Sequence, residues 1–322
     1  MTLDSSALPV RLNPCNEIET RWSFKREKGM ARIGVDLGGT KIELILTEDN
    51  PLEVRERIRV PTEKAHGYEH LLNQLVGLLE GLRAQSPDPV RIGLGIPGAV
   101  DRQGQVVTSN IRCLDNVFLA RDLSERLDQE VQVGNDANCF TLSEALHGAA
   151  KGLRMVFGVI LGTGVGGGLV LDGESWSGLH GIAGEFGHVS INYQGVPCYC
   201  GRRGCMEQYL AGPSIQRAYE QRSGKKSEVQ AIAEAAQTKE DPHAVAVMEE
   251  FLEVYAQAMA NVIAELDPDA IVLGGGVSNL DLLYTEGQAR IQQIALPGAR
   301  KTQILKNQLG DSSGVYGAAA LG

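Results

Sequence analysis

Two glycine-rich turns constrain the fold of this 322-residue chain more strongly than any other feature of its sequence. Short apolar runs flank each turn, over Arg32–Leu46 and again over Val156–Leu171, and this pattern predicts two β-hairpins. Placing Ile33 opposite Phe157 aligns the two stretches with an offset of 124 residues. Two glycine-rich hairpins can resemble one another by chance, but the pair favours a duplicated domain with a cleft between the copies.

Apolar spacing indicates that helices and strands alternate along the chain. Helical periodicity covers residues 71–82, 137–150 and 248–266, and short apolar runs predict strands over 90–96, 131–133 and 270–273. This order is typical of an α/β protein, and the length is enough for two domains. We place these domains at residues 30–136 and 137–322, with the last helix able to pack back on the first domain. Residues 1–29 form an N-terminal extension that we expect to be poorly ordered.

Charge and cysteine usage narrow the class of protein. Thirty basic and 40 acidic residues give a net charge of -10, which disfavours binding to the phosphate backbone of nucleic acids. No apolar run reaches the roughly 18 residues that a membrane span needs, and residues 1–29 lack the apolar core of a secretory signal. Three of the six cysteines fall within eight residues, unlike a disulfide framework. We therefore expect a cytoplasmic protein.

A histidine and three cysteines form the most specific pattern in the sequence. His188 is followed by Cys198, Cys200 and Cys205 in the order H-x₉-C-x-C-x₄-C. One imidazole and three thiolates suit a closed tetrahedral Zn²⁺ site. Because three thiolates leave such a site formally anionic, we expect a structural zinc ion rather than a Lewis-acid centre.

Two glutamates stand next to this predicted zinc loop. Glu185 lies three residues before His188, which would put both on one face of a helix, and Glu207 lies two residues after Cys205. A metal ion would then hold two carboxylates and an imidazole in one loop, an arrangement that suits recognition of a polyol such as a sugar. Without the metal, two solvated glutamates would be the simpler interpretation.

Three glycine-rich segments could bring the backbone close to an anion. In Asp36–Lys41 the paired glycines permit a tight turn, Thr40 could donate to a phosphate oxygen and Asp36 could hold Mg²⁺ through water. Five glycines occur among the eight residues of Leu161–Gly168, and Gly274–Gly276 follows a predicted buried strand, where ligands of α/β sheets bind. Plain structural turns are the alternative for each segment.

The pair Asn135-Asp136 follows another predicted strand and begins a predicted helix. Either residue could simply be the N-cap of that helix. The functional interpretation makes Asp136 a general base, because a carboxylate at the end of a strand projects into the cleft.

Five motifs, in this order, resemble the ROK family of repressors, open reading frames and kinases. They are DLGGTK at Asp36–Lys41, NDAN at Asn135–Asn138, LGTGVGGG at Leu161–Gly168, GEFGH at Gly184–His188 and CxCGxxGCxE at Cys198–Glu207. Segments 267–279 and 310–319 are also similar to the family, so the resemblance covers residues 31–322.

The resemblance implies an actin-like (ribonuclease H-like) ATPase fold, with two α/β domains around a cleft where a sugar and ATP meet. It implies that Asp136 accepts the proton of the sugar hydroxyl, and that His188 offers the sugar its second ring nitrogen. The other sugar-binding residues it implies are Gly98, Asn110, Asn135, Glu185 and Glu207. The residues it implies for ATP and Mg²⁺ are Asp36, Gly38, Gly39, Thr40, Lys41, Thr163, Gly164, Gly275 and Gly276.

We therefore expect phosphorylation of the terminal hydroxyl of a hexose, of the fructokinase or glucokinase type, by a homodimer that binds no nucleic acid or membrane. The alternative substrate is an N-acetylhexosamine. Segment 189–197 is shorter than the insertion in some relatives, so the sequence leaves the sugar open. A sugar-responsive regulator is the alternative from another class, but the 29 residues before Met30 contain no pair of amphipathic helices for DNA binding.

Overall fold

The computed structural model describes residues 30–48, 50–107 and 111–321, apart from the side chain of Asp311. The predicted N-terminal extension, 1–29, and the predicted sugar ligand Asn110 lie outside the described residues. Across these ranges, every helix is too short or too polar to cross a lipid bilayer.

Strands and helices alternate along the described chain, as predicted. The strands are β1 Ala31–Leu37, β2 Lys41–Thr47, β3 Val54–Pro61, β4 Val90–Ile96, β5 Ala99–Val100, β6 Val106–Val107, β7 Val131–Asn135, β8 Met155–Leu161, β9 Val165–Leu171, β10 Glu174–Ser175, β11 Ala270–Gly274 and β12 Gln303–Lys306. The α-helices are α1 Tyr68–Arg83, α2 Leu119–Leu127, α3 Asp136–Leu146, α4 Glu207–Leu210, α5 Gly212–Ser223, α6 Val229–Thr238, α7 Pro242–Leu266, α8 Glu286–Ile294 and α9 Ser313–Leu321.

Two five-stranded sheets share one topology. The first has the order β3-β2-β1-β4-β7 and the second the order β10-β9-β8-β11-β12. In each, an antiparallel hairpin (β1–β2 or β8–β9) is followed by two parallel strands. Both strands of the first hairpin reappear in the second at an offset of 124 residues, which confirms the predicted repeat.

The parallel strands bring the predicted functional segments to the ends of the sheets. Asp36 is near the end of β1, Pro97-Gly98 follows β4, and Asn135 ends β7. Gly162 follows β8 and Gly275 follows β11 in the second sheet. Since ligands of open α/β sheets bind beyond the carboxyl ends of the strands, this arrangement favours one functional region.

The last helix, α9, packs closely against the first sheet and against α3. A Cβ atom at Gly34 of β1 would lie 2.3 Å from the backbone oxygen of Val315, and one at Gly317 would lie 1.7 Å from that of Cys139. Glycines at these two positions therefore allow the backbones to approach. The division of the chain at residues 136 and 137 remains a prediction.

Helix α3 ends at Leu146, four residues earlier than we predicted. The cause is Glu144, whose fully buried carboxylate turns back to accept a hydrogen bond from the Ala149 amide at 2.9 Å. The same carboxylate accepts from the backbone amide of Leu309 at 2.9 Å and from the hydroxyl of Ser313 at 3.1 Å. It thus joins the end of α3 to the start of α9.

Candidate active site

Two open pockets share the side chain of Asp136. The first, which we call the Glu185 pocket, has a volume of about 220 Å³, and the second, the Asp36 pocket, about 260 Å³. Residues that line the Glu185 pocket include Gly98, Asn135, Asp136, Thr163, Gly164, Glu185, His188, Tyr199 and Glu207. Residues that line the Asp36 pocket include Asp36, Asp136, Gly275, Asn279, Asn307, Gly310, Ser313 and Gly314. Asp136 can therefore contact ligands in both.

Local hydrogen bonds orient Asp136 at the start of α3. Asn135 is the N-cap, since its side-chain oxygen accepts from the amides of Ala137 at 2.9 Å and Asn138 at 3.1 Å. Its amide nitrogen donates to the Gly98 carbonyl at 2.9 Å, which ties β7 to the turn after β4. One oxygen of Asp136 accepts from the Ala137 amide at 2.8 Å. The capping role thus falls to Asn135, while Asp136 faces the pockets.

Burial and neighbouring carboxylates disfavour the ionised form of Asp136. Burial is the largest cause that raises its pKa to about 7, followed by the negative charges of Asp36 and Glu185. Burial also raises the pKa of Asp36, against the opposing effect of Lys41. A carboxylate whose pKa lies near neutrality can accept a proton more readily than an ordinary aspartate, which suits a general base.

The turn Gly38–Lys41 joins β1 to β2 just beyond Asp36. The Gly38 amide donates to the Lys41 carbonyl at 2.9 Å, and the Thr62 hydroxyl donates to the Gly38 carbonyl at 2.7 Å. The Thr62 amide donates to the carbonyl of Thr40 at 2.9 Å. The backbone of this turn, including Gly39, is therefore held at its base by the residue that follows β3.

The second glycine-rich turn lies in the Glu185 pocket, together with the predicted sugar residues. Its Thr163 and Gly164 line that pocket. Glu207 accepts from the Val165 amide at 3.1 Å, and a Cβ atom at Gly164 would lie 2.7 Å from the same carboxylate oxygen. Glycine at this position therefore lets Glu207 join the predicted zinc loop to the turn.

The third glycine-rich segment borders the Asp36 pocket. Gly275 has φ of 82°, and a Cβ atom there would lie 2.4 Å from the Leu161 carbonyl oxygen. Gly276 begins a 3-10 helix that ends at Asn279, another residue of the pocket. Only glycine combines that backbone conformation with such close contact to β8.

Sequence reasoning missed several residues of the Asp36 pocket. Asn307 was not singled out, and Asn279, Gly310, Ser313 and Gly314 were noted only as parts of two family-like segments. The signal that could have identified the second of these is its composition: GDSSG comes after the last strand and runs into the first two residues of the last helix, as the other glycine-rich turns follow their strands.

The predicted zinc ligands lie together. The ligand atoms of His188, Cys198, Cys200 and Cys205 are all within 4.8 Å of one another. Nδ1 of His188 is 3.6 Å from Sγ of Cys198, and the sulfur atoms of Cys200 and Cys205 are also 3.6 Å apart. Because Zn–S bonds of about 2.3 Å in a tetrahedron separate two sulfurs by roughly 3.7 Å, this donor set fits a zinc ion.

The other ring nitrogen of His188 faces a residue that sequence reasoning also missed. Nε2 is 3.1 Å from the hydroxyl of Tyr199, which lines the Glu185 pocket. Glu185 does not share an α-helical face with His188, since it precedes a 3-10 helix, Phe186–His188; both nevertheless line the pocket. Burial raises the pKa of Glu185, and the charge of Glu207 contributes in the same direction.

Comparisons with known proteins agree with this architecture. The chain is 40% identical over 300 residues to an N-acetyl-D-glucosamine kinase of Histophilus somni (strain 129Pt), which covers 89% of this chain and 97% of the relative. The crystal structure of a ROK hexokinase from Thermus thermophilus superposes with a TM-score of 0.82 at 30% identity, over 91% of this chain and 97% of that one.

A second solved structure is a ROK family glucokinase from Streptomyces griseus in complex with glucose and AMPPNP. It superposes with a TM-score of 0.73 at 29% identity, over 90% of this chain and 98% of that one. Residues 32–322 match the sequence profile of the ROK family. The chain therefore belongs to the ROK family and has the actin-like ATPase fold of that family's sugar kinases.

Proposed function

We propose that this enzyme transfers the terminal phosphoryl group of ATP to the terminal hydroxyl of an N-acetylhexosamine. The observation that carries the proposal is the position of Asp136, which belongs to both pockets. A sugar in the Glu185 pocket and a nucleotide in the Asp36 pocket would meet at this carboxylate.

Asp136 acts as the general base. Its carboxylate accepts the proton of the attacking hydroxyl, and its hydrogen bond to the Ala137 amide fixes its direction. Phosphoryl transfer depends mainly on positioning and on neutralising charge, so a single oriented base is enough on the sugar side. Asp136 is half-buried where the two pockets meet, and a sugar bound beside it would exclude water, which favours attack by the sugar over hydrolysis of the nucleotide.

The nucleotide would occupy the Asp36 pocket. Gly275 lines this pocket, and with Gly276 it leaves room beside the nucleoside. The turn after Asp36, Gly38–Lys41, and the pair Thr163–Gly164 in the adjoining Glu185 pocket would hold the phosphates. Asp36 and Asp136 provide the oxygen ligands that Mg²⁺ prefers. Bound there, Mg²⁺ would neutralise charge on the transferred phosphoryl group.

The sugar would occupy the Glu185 pocket. Glu185 and Glu207 supply acceptors for its hydroxyls, next to Asn135 and the Gly98 turn. The second ring nitrogen of His188, which the family resemblance assigns to the sugar, instead faces the hydroxyl of Tyr199. Asn135 already uses its side chain as an N-cap and in a bond to Gly98, so we assign it mainly to holding the pocket wall. Asn110 remains a predicted ligand.

We further propose that a structural zinc ion holds the loop that carries these groups. Three thiolates and one imidazole saturate a tetrahedral ion, so the metal would leave no position for substrate. Its effect on the sugar pocket is to fix His188 directly and Glu207 through the chain after Cys205.

The choice of sugar rests on the relatives. The sequence alone favoured fructose or glucose, with an N-acetylhexosamine as the alternative. The 40% identity to an N-acetyl-D-glucosamine kinase favours the alternative. The homodimer remains a prediction from the family resemblance, and light scattering of the purified protein would test it.

A panel of sugars tests the proposed function. We expect kcat/KM for N-acetylglucosamine or N-acetylmannosamine to exceed that for fructose, glucose and mannose by about 10-fold or more, since a pocket built for a substituent loses binding when it is absent. A preference for an unsubstituted hexose would overturn the substrate assignment. Sugar binding without any ATP consumption across the panel would instead favour the non-catalytic regulator.

A further inference from the structure

Among the described residues, two with aromatic rings line the Glu185 pocket, His188 and Tyr199. The family resemblance assigns a role to His188 but none to Tyr199. Its side chain is 69% exposed, although it lines the pocket. The ring meets the His188 imidazole edge-on, with centroids 5.1 Å apart and an interplanar angle of 88°. Its backbone lies between two predicted zinc ligands, Cys198 and Cys200, which fixes where the ring can stand.

The ring stands on the side of the pocket that the predicted zinc loop forms. Asp136 lies where the Glu185 pocket meets the Asp36 pocket, because it lines both, whereas Tyr199 lines the Glu185 pocket alone and contacts His188 of the loop. With the nucleotide in the Asp36 pocket, we infer the order nucleotide, Asp136 and then Tyr199.

This order determines which part of the sugar reaches Tyr199. The reacting hydroxyl is on carbon 6, which is attached to carbon 5 of the pyranose ring. Carbon 2 lies directly across the ring from carbon 5. With carbon 6 at Asp136 and Glu185 beside the ring, the substituent on carbon 2 points toward the end of the pocket where Tyr199 stands.

We propose that Tyr199 determines which carbon-2 substituent the pocket accepts, with its ring packed against the methyl of an acetamido group; this rests on the function proposed above. The ring offers an exposed apolar face that a hydroxyl at carbon 2 is too small to cover. An acetamido methyl can cover it, and removing that apolar surface from water favours binding. Tyrosine supplies such contact at low entropic cost because it has only two side-chain torsions.

The phenol hydroxyl of Tyr199 has a different role from the ring. It lies 3.1 Å from Nε2 of His188, while Nδ1 faces the sulfur of Cys198. This contact holds the ring upright beside the imidazole. It orients Tyr199, and the ring itself makes the contact with the sugar.

Three variants separate these roles. Tyr199→Ala removes the ring, Tyr199→Phe removes only the hydroxyl, and Tyr193→Ala removes an 80% exposed tyrosine of the same loop that does not line the pocket. For each, kcat/KM is measured with N-acetylglucosamine and with glucose, sugar binding by calorimetry, and zinc by metal analysis.

We expect Tyr199→Ala to lower the ratio of kcat/KM for N-acetylglucosamine to that for glucose by about 10-fold or more, mainly through KM. Tyr199→Phe should keep the ratio within about 3-fold of the native enzyme, since an apolar contact survives the loss of a hydroxyl. Tyr193→Ala should leave it unchanged, and every variant should hold as much zinc as the native chain.

Three results would overturn the proposal: an unchanged ratio in Tyr199→Ala, an equal loss in Tyr199→Phe, or weaker binding of both sugars alike with loss of zinc. The calorimetric comparison does not require turnover. If the native enzyme phosphorylated no hexose, the proposed function would fail, while weaker N-acetylglucosamine binding in Tyr199→Ala alone would still support the role of Tyr199.

Discussion

The surroundings of Asp136 disfavour a charged carboxylate. Its carboxyl group is half-buried and largely desolvated, and Asp36 and Glu185 add negative charge nearby. Each of these raises its pKa and makes the ionised form costly. Folded proteins retain such groups mainly where chemistry needs them, so the cost itself supports a catalytic role.

The pKa of Asp136 predicts how activity depends on pH. The base must be ionised to accept a proton, and its pKa is about 7. We therefore expect kcat/KM for the sugar to rise as pH increases through about 7 and to level off above it. A pH profile of kcat/KM, measured with the metal and nucleotide saturating, checks this; a profile that is flat or falls between about pH 6 and 8 would exclude Asp136 as the base.

At the scale of single residues, the sequence allowed some positions to be predicted and not others. Asp136 and the four predicted zinc ligands follow local patterns, a strand end and a fixed spacing. Tyr199 follows none, because its position depends on how the zinc loop folds over the pocket. Asn307 likewise reaches the Asp36 pocket only because β12 lies next to β11.

The predicted zinc loop is the element that shapes the Glu185 pocket, where we place the sugar. It contains His188 and Tyr199 and leads into α4, whose first residue, Glu207, accepts from the Val165 amide. The loop itself has little regular structure, with isolated bridges between Ser190 and Cys205 and between Pro197 and Arg203. Metal ligation would therefore provide most of its order.

Cys200→Ala tests the metal at this scale. We expect zinc content to fall, the free energy of unfolding to drop by about 3 kcal/mol or more, and sugar affinity to fall with it. Cys113→Ala, at a half-buried cysteine outside the loop, is the matched control. Metal analysis, thermal unfolding and calorimetry provide the data; full sugar affinity in a zinc-free Cys200→Ala protein would contradict the role of the metal.

The predicted boundaries of helices and strands agree with the structure where the local sequence signals are strong. The strand predicted over residues 90–96 is β4, and the helix predicted to end before Asp267 does so, with that residue in a left-handed conformation. The helix after β7 was predicted too long because its end depends on Glu144, which bonds to amides more than 160 residues away. Contacts this distant in sequence leave no local pattern.

The whole molecule is organised by its duplicated sheet. Each copy places a glycine-rich turn after its first strand. Asp36, just before the first turn, lines the Asp36 pocket, and Thr163 and Gly164 of the second turn line the Glu185 pocket. Helix α9 packs on β1 of the first sheet. Its first two residues, Ser313 and Gly314, line the Asp36 pocket. Helix α9 thus forms part of the Asp36 pocket, where we place the nucleotide.

Gly34→Ala tests the contact between α9 and the first sheet. The added methyl would lie 2.3 Å from the backbone of Val315, so the helix must move. We expect the free energy of unfolding to fall by about 2–3 kcal/mol and KM for ATP to rise more than KM for the sugar. Gly77→Ala in α1, where a methyl meets no atom within 4 Å, should leave both KM values unchanged and raise the free energy of unfolding by about 0.5–1 kcal/mol, because alanine favours a helix more than glycine does. An unchanged KM for ATP would show that the packing of α9 on β1 does not determine the shape of the Asp36 pocket, where we place the nucleotide.

The central claim is that one half-buried carboxylate, Asp136, between two pockets makes this chain a sugar kinase. Turnover of Asp136→Asn with ATP and N-acetylglucosamine tests it most directly, with Asp267→Asn, at a residue that lines neither pocket, as the control. We expect sugar binding to persist and kcat to fall by about 10² to 10⁴. Full turnover by Asp136→Asn would contradict the account.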